Sequence, residues 1–339
     1  MDHENITKGI LTGIINRYIG EIGADPGRSI RKLLDMAELT SDGPTQKICY
    51  QMMQKMAENQ SSPYYEMIRH MVTSLPPETV SKFGINLGHN AWTFSSGHVR
   101  QISANRDISI PWAVLIDRSS APDRISFSEI TDLVGRGRAV DIFGWLIFCS
   151  DDLDEWEEYT ELFQKHDDCV FGLCVSPRAL RDDLLEEISG IHNLMILLDT
   201  GHEEWQEWME KLSRSGCLYS AFRTIRTADD AAEVTSGEWF EETAPFYPLL
   251  GFTCTADDCP EQAADAVQRY MWQTRLDQVY PVLPCDLISD FLIISRLVSH
   301  REVLYRVETD GRVSEGDGLR FRPGPMRCGD LFGPLPSAQ

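Results

Sequence analysis

The chain has little positive charge for its length. Across 339 residues, 31 lysines and arginines stand against 53 acids, a net charge of −22. DNA, RNA and anionic membranes are met by basic surface, so none of them is expected as the main partner. The plainer meaning of the acid excess is solubility, and a basic partner is the other reading. No stretch approaches ~20 consecutive apolar residues, so no transmembrane helix is expected. The N-terminus, Met1-Asp2-His3-Glu4-Asn5, is polar and acidic and leads into no signal peptide, which makes the cytoplasm the expected compartment. Tandem repeats and low-complexity tracts are absent too.

Two kinds of motif are also missing. No Cys-x-x-Cys occurs among the nine cysteines, and their odd number and scatter through apolar runs do not form a secreted disulfide framework. Cys254 and Cys259 bracket a short polar segment, but two thiols are fewer than the three or four ligands zinc takes. No glycine-rich phosphate loop lies between a strand and a helix, since Gly135-Arg136-Gly137-Arg138 falls at a helix end.

What is present divides near residue 106. Ile6, Ile10, Leu11, Ile14, Ile15, Tyr18, Ile19 and Ile22 have helical spacing over 4–22. Further helices lie around Ile30–Ala37, around Ile48–Met56, and from Pro63 to Val72, each bounded by glycine or proline. Pro76-Pro77 opens another that runs towards the apolar, glycine-bearing segment Phe83–Trp92, which is expected to pack against the second domain. His89 and His98 read as structural.

From Ile110 the pattern changes to short apolar runs alternating with charged helical ones. Strands are expected at Trp112–Asp117, Ile142–Cys149, Cys169–Val175, Leu194–Leu198, Cys217–Phe222 and Pro248–Cys254, with a seventh within Val279–Pro284. Ser126 or Ser128 caps the first intervening helix, with Glu129 early in it. A hairpin is expected around Thr309-Asp310-Gly311, and 316–339 reads as extended coil. The fold class is therefore α/β. The expected layout is a helical domain over 1–105, a partial (β/α)6-type TIM barrel over 106–285, and a C-terminal hairpin and tail over 286–339.

The order of several of these features resembles a branch of the radical S-adenosylmethionine (SAM) proteins that carry a helical N-terminal extension. The features are that extension, the segment Phe83–Trp92, the first strand Ile110-Pro111-Trp112-Ala113-Val114-Leu115-Ile116-Asp117, the stretch Lys165–Phe171, the hairpin Val303–Val313, and Arg322-Pro323-Gly324-Pro325-Met326. The last two are similar to the start of that family's SPASM cluster region. In active members the first strand leads into Cys-x-x-x-Cys-x-x-Cys, whose thiolates hold a 4Fe–4S cluster. Here Asp117 is followed by Arg118-Ser119-Ser120-Ala121-Pro122. After the second strand the family has a Gly-Gly-Glu-Pro-like segment against the SAM amino group, and here stands Ser150-Asp151-Asp152-Leu153. Where the family places cysteines near the C-terminus, this chain has Ser314-Glu315 and Gly324. Cys285 and Cys328 remain.

The resemblance thus implies a radical-SAM-like fold without cluster, SAM cleavage or other cofactor. Such a pseudoenzyme would work by binding, as a partner of an active radical SAM enzyme or a holder of its peptide or protein substrate. The alternative is an enzyme of different chemistry at the C-terminal ends of the strands. Its candidate residues are Asp117, Asp199, His202 and Arg223, with Asp199-Thr200-Gly201-His202 bringing a carboxylate and an imidazole together. Trp156, Trp205, Trp208, Trp239 and Trp272 fall in acidic helices, where they either cover the sheet or mark a docking face.

Overall fold

The computed structural model describes residues 24–333 apart from 41–43, 120–123, 150 and 152, and upstream of these Gly13, Arg17, Tyr18 and 20–22. The helix expected over 4–22 lies largely outside the described residues. The described chain begins with helices α1 (Pro26–Thr40), α2 (Pro44–Met56), α3 (Tyr64–Ser74), α4 (Pro77–Ile85) and α5 (Ser95–Arg106), with π-helical turns at Asn86–Phe94 joining the last two.

Strands and helices then alternate. In order they are β1 (Ala113–Arg118), α6 (Phe127–Arg138), β2 (Gly144–Cys149), α7 (Trp156–Lys165), β3 (Val170–Val175), α8 (Asp182–Ser189), β4 (Leu194–Asp199) and α9 (Trp205–Ser215). Next come β5 (Tyr219–Ile225), α10 (Ala228–Thr235), α11 (Glu238–Thr243), β6 (Leu250–Thr255), α12 (Glu261–Asp277), β7 (Leu283–Asp286) and α13 (Leu287–Ser299). Three strands close the described chain: β8 (Tyr305–Val307), β9 (Arg312–Gly316) and β10 (Phe321–Arg327). The first intervening helix starts as its sequence requires. Ser126 accepts from the Glu129 amide at 3.3 Å while the Glu129 carboxylate accepts from the Ser126 amide at 3.1 Å, a reciprocal cap.

All ten strands form one sheet in the order β10-β9-β8-β1-β2-β3-β4-β5-β6-β7. β1 to β7 are parallel and lie in chain order, and β8 pairs parallel with the free side of β1. The hairpin strand β8 is therefore an eighth parallel member, which the count of six or seven strands does not include. The stretch from Gly316 is likewise not coil throughout, because Phe321–Arg327 pairs antiparallel with β9. Beyond it, Arg136 of α6 donates to the carbonyls of Cys328, Gly329 and Leu331 and holds the tail against the helix.

The sheet is strongly curled. Phe148 on β2 and Phe222 on β5 bring their rings to 5.8 Å. In a flat sheet the two intervening strands would hold their backbones roughly 14 Å apart. Both faces of the sheet are apolar and tight: Leu115 and Leu197 are fully buried inside the curl, and Val114, Ile116, Ile147, Leu173 and Ile196 are fully buried on the face under the helices. Gly172 lets the two strands' side chains fit inside the curl, since a Cβ on it would lie 2.4 Å from Leu146 Cδ1 and force that side chain to move. Phe291 of α13 fills the open side, edge-on to Trp112 at 5.0 Å and to Phe252 at 6.3 Å.

The curl does not close, because the outer edge of β7 has no free backbone group to offer β8. The Leu283 amide bonds to Leu249 towards β6, so Pro284 and Asp286 face outward. Pro284 lacks an N–H, and its carbonyl accepts from Arg275 Nε at 2.8 Å. The Asp286 amide donates to Asp290 Oδ2 at 2.8 Å, and Asp290 is itself gripped by both terminal nitrogens of Arg275. The other edge is treated alike. The Phe321 amide donates to Asp257, Pro323 and Pro325 have none to give, and the Arg327 amide donates to Asp330. Edges occupied in this way resist strand addition.

The N-terminal helices and the turn between α4 and α5 lie across the edge where the strands begin. Asn86 and Asn90 donate to the carbonyls of Asp167, Asp168 and Cys169 ahead of β3. Thr79 bonds His192 ahead of β4 at 2.8 Å, and His98 pairs with Asp141 ahead of β2. The segment Phe83–Trp92 thus packs on the β/α layer, as its composition suggests. Tyr64 and Gln278 tie the N-terminal helices to the end of α12, through Tyr64 Oη to the Arg275 carbonyl and Gln278 Nε2 to the Met56 carbonyl. Among the described residues no helix is long and apolar enough to cross a membrane.

Replacing Arg275 by methionine leaves Asp290 buried and unpaired, so the variant should lose about 3–5 kcal/mol in urea unfolding. Arg275→Met with Asp290→Leu should lose less than Arg275→Met alone. A cost for the pair as large as the single would assign the effect to packing rather than to the stranded charge.

Candidate functional site

The N-terminal helices cover one edge of the sheet, which leaves the C-terminal ends of the strands as the place to look for a site. Strand register decides which side chains there share the concave face. Asp117 pairs with Phe148, Phe148 with Cys174, and Cys174 with Leu197, so all four point the same way. Asp199, two residues beyond Leu197, joins that face and pairs with Phe222. Two carboxylates therefore sit on one face with Phe148 and Cys174 between them.

Asp199 and His202 meet. Asp199 Oδ2 lies 3.5 Å from His202 Nε2, while Oδ1 accepts from the Gly201 amide at 2.9 Å. A Cβ at Gly201 would lie 3.1 Å from that same oxygen, a tight contact that would push on the Asp199 carboxylate. The neighbouring strand ends add Asp151, Ser176 and Arg178. Ser176 Oγ donates to Asp151 Oδ1 at 2.7 Å, and Arg178 lies 3.4 Å from Oδ2. The Ser176 hydrogen bond, helped by Arg178 and His202, holds the Asp151 carboxyl below its ordinary range against the opposing effect of burial, which is second only to that bond. The loops after β2, β3 and β4 thus converge on a solvent-facing group of two carboxylates, an imidazole, a hydroxyl and a guanidinium. Asp199 and His202 stand at ion-pair distance, so the group can present a carboxylate beside an imidazole. Its hydroxyl donates to the Asp151 carboxylate rather than to the His202 imidazole.

The other two expected site residues lie apart from this group or turn away from it. Asp117 accepts from the amide and hydroxyl of Ser119 at 2.8 and 2.6 Å, a local turn at the end of β1. Arg223 comes directly after Phe222 and so faces the helices. It bonds Glu233 at 2.5 Å and Asp230 at 3.3 Å on α10 and donates to the Thr200 carbonyl at 3.1 Å, holding the β4 loop from outside. Arg118 is also turned outward and is 2% exposed. It donates to the Ile125 carbonyl, Tyr159 Oη and Glu155, and stacks 4.0 Å over Phe127.

The seam between β7 and β8 carries a cluster that spacing alone does not reveal. Asp257, after β6, bonds Arg306 of β8 at 2.6 Å, and Arg306 also reaches Glu308 at 2.9 Å and covers the Phe321 ring. Below it Asp286 caps α13, accepting from the Ser289 amide at 3.0 Å. Burial pushes the Asp286 carboxyl above its ordinary range, and pushes the neighbouring Cys254 thiol up to about 12.

All nine cysteines are free thiols, and burial raises Cys169, Cys174 and Cys285 as well. Thiols held protonated in this way are poor ligands and nucleophiles. Among the described residues no three His, Cys, Asp or Glu side chains are grouped to hold a metal ion. A cavity of about 940 Å³ lies at the opposite edge of the sheet, between α4 and the loops ahead of β3 and β4.

Comparison with protein-family models, with curated proteins and with solved structures finds no match to this chain.

A carboxyl whose pKa is raised by folding favours the native state while protonated, and that contribution is lost as pH rises through the folded pKa. Asp286→Asn keeps the cap and removes the charge. Its melting temperature should exceed the wild type's at pH 7 to 8, and the difference should vanish below about pH 4. A constant difference across that range would assign it to packing.

Proposed function

We propose that this chain is a catalytically silent, radical-SAM-like β/α barrel that acts by binding a protein. The β8-β1-β2-β3-β4-β5-β6-β7 order is that of an eight-stranded β/α barrel opened between its seventh and eighth strands. On this reading the helices up to residue 105 form its N-terminal domain, and β9 and β10 are the remnant of a cluster-bearing extension.

The observation that carries the reading lies at Gly324. The resemblance puts a cluster cysteine there. A Cβ at this position would lie 2.9 Å from the Val313 carbonyl, so the hairpin is packed for glycine and has no room for a thiolate. The connection after β1 supports the same reading. It runs from Ser119 to Ser126 without a cysteine, Arg118 is bonded to the Ile125 carbonyl, and the Ile125 amide donates to Thr309 at 2.7 Å. The loop that bears three thiolates in active members is here short and tied down at its far end. The chain's partner on this reading is an active radical SAM enzyme or that enzyme's peptide substrate, met in the cytoplasm.

Anaerobic reconstitution with iron and sulfide should leave the protein without stoichiometric iron and without the broad visible absorption of a 4Fe–4S cluster. One cluster per chain would refute the proposal. A second reading, an enzyme of other chemistry, has the Asp199–His202 contact in its favour. It requires a turnover that Asp199→Asn and His202→Gln each abolish without lowering the melting temperature.

A further inference from the structure

The cavity between α4 and the loops ahead of β3 and β4 has the make-up of a ligand site. Its volume of about 940 Å³ falls within the ~300–1,000 Å³ of small-molecule pockets. Val72 of α3, Pro77 and Ile85 of α4, and Ile191 ahead of β4 give it apolar walls. Its charged residues are Glu78, Lys82 and Asp167, and Lys82 pairs with Asp167 at 2.6 Å. Apart from His192 the lining thus carries one net negative charge, which does not favour an anion.

Two polar atoms on its lining residues are left over. Asn193 is 5% exposed, and its Nδ2 donates to the carbonyls of Phe163 and His166 at 3.0 and 3.3 Å. Those two bonds fix which way the amide points, and Oδ1 accepts no hydrogen bond from any described residue. On the adjacent His192, Nδ1 bonds the Thr79 hydroxyl at 2.8 Å, and Nε2 bonds no described residue. Thr79 is 2% exposed and its hydroxyl has no other partner among the described residues, so it donates to Nδ1. The imidazole then carries its proton on Nε2 and can donate it. Asn193 Oδ1 and His192 Nε2 are both accessible, on residues that line the cavity. The backbone beneath them is anchored, since the Asn193 carbonyl accepts from the Phe171 amide at 2.9 Å. Adjacent residues on a fixed loop thus offer one acceptor and one donor.

We infer that this cavity binds a small uncharged molecule with an apolar body and an amide group. The amide N–H donates to Asn193 Oδ1, its carbonyl accepts from His192 Nε2, and the body lies against the aliphatic walls. An acceptor covered by a ligand and left unpaired costs free energy, so an analogue without the N–H is rejected. A carboxylate in place of the amide would set its charge against Oδ1 and against the acidic lining. The site is separate from the polar group at the C-terminal strand ends and does not depend on what that group does.

Saturation-transfer NMR on the full chain tests this with three probes of one shape: benzamide, N,N-dimethylbenzamide and benzoate. Benzamide at about 1 mM should receive saturation from the protein. N,N-dimethylbenzamide keeps the carbonyl and lacks the N–H, and it should bind about tenfold more weakly, as should benzoate. Asn193→Ala removes the acceptor and also its two bonds to the turn before β3, so location is tested by variants that leave Asn193 in place. Val72→Trp on α3 and Ser81→Trp on α4 fill the cavity from two sides. Each should abolish benzamide binding while circular dichroism and the melting midpoint without ligand are retained. A wild type that transfers no saturation to benzamide would overturn the inference. So would benzamide binding that survives both filling variants, or N,N-dimethylbenzamide or benzoate binding as tightly as benzamide.

Discussion

The ion pair of Arg275 and Asp290 sets the form of the sheet. Arg275 caps the outward carbonyl of β7, and Asp290 caps the outward amide. With Pro284 between them, the seventh strand has nothing left to bond an eighth. β8 instead sits beside β1, α13 occupies the gap through Phe291, and the chain continues into a hairpin whose own outer edge is closed by Pro323, Pro325, Asp257 and Asp330. Burying such a pair is costly unless its hydrogen bonds are complete, and here each of its polar groups has a partner. The same arginine's carbonyl receives Tyr64, so the helical floor and the open seam meet at one residue.

This architecture puts the chemistry-bearing face at the strand ends, and the occupants of that face are informative. The aromatic contact of Phe148 and Phe222 crosses it, and the thiols beneath are kept protonated by burial. The polar group of Asp151, Ser176, Arg178, Asp199 and His202 is gathered to one side, over β2, β3 and β4. Its members chiefly satisfy one another. A binding role needs no more than this, since shape and charge at the rim suffice to hold a partner. Catalysis would require a substrate to displace part of that internal network.

Much of the fold is legible in the sequence because it obeys local rules. The buried strands are nearly continuous apolar runs, and the capping pair Ser126 and Glu129 announces α6. The Asp199 and His202 contact comes from their spacing in one loop. The illegible part depends on pairing between distant segments. β8 is three residues long and carries no signal that its second neighbour is β1. The prolines at 323 and 325 suggest coil, whereas they mark the outer edge of a strand. Asp257 and Arg306 are 49 residues apart, and nothing in either neighbourhood connects them. Asp117 and Arg223 look like site residues from their position at strand ends. The first is spent on its own turn, and strand alternation sends the second to the outer face.

On the proposed reading the barrel mouth no longer supports radical chemistry. The sharpest test is SAM consumption by the reconstituted protein under strictly anaerobic, reducing conditions. No SAM cleavage above a protein-free control is expected. Cleavage that scales with protein concentration and persists through repurification would contradict the reading.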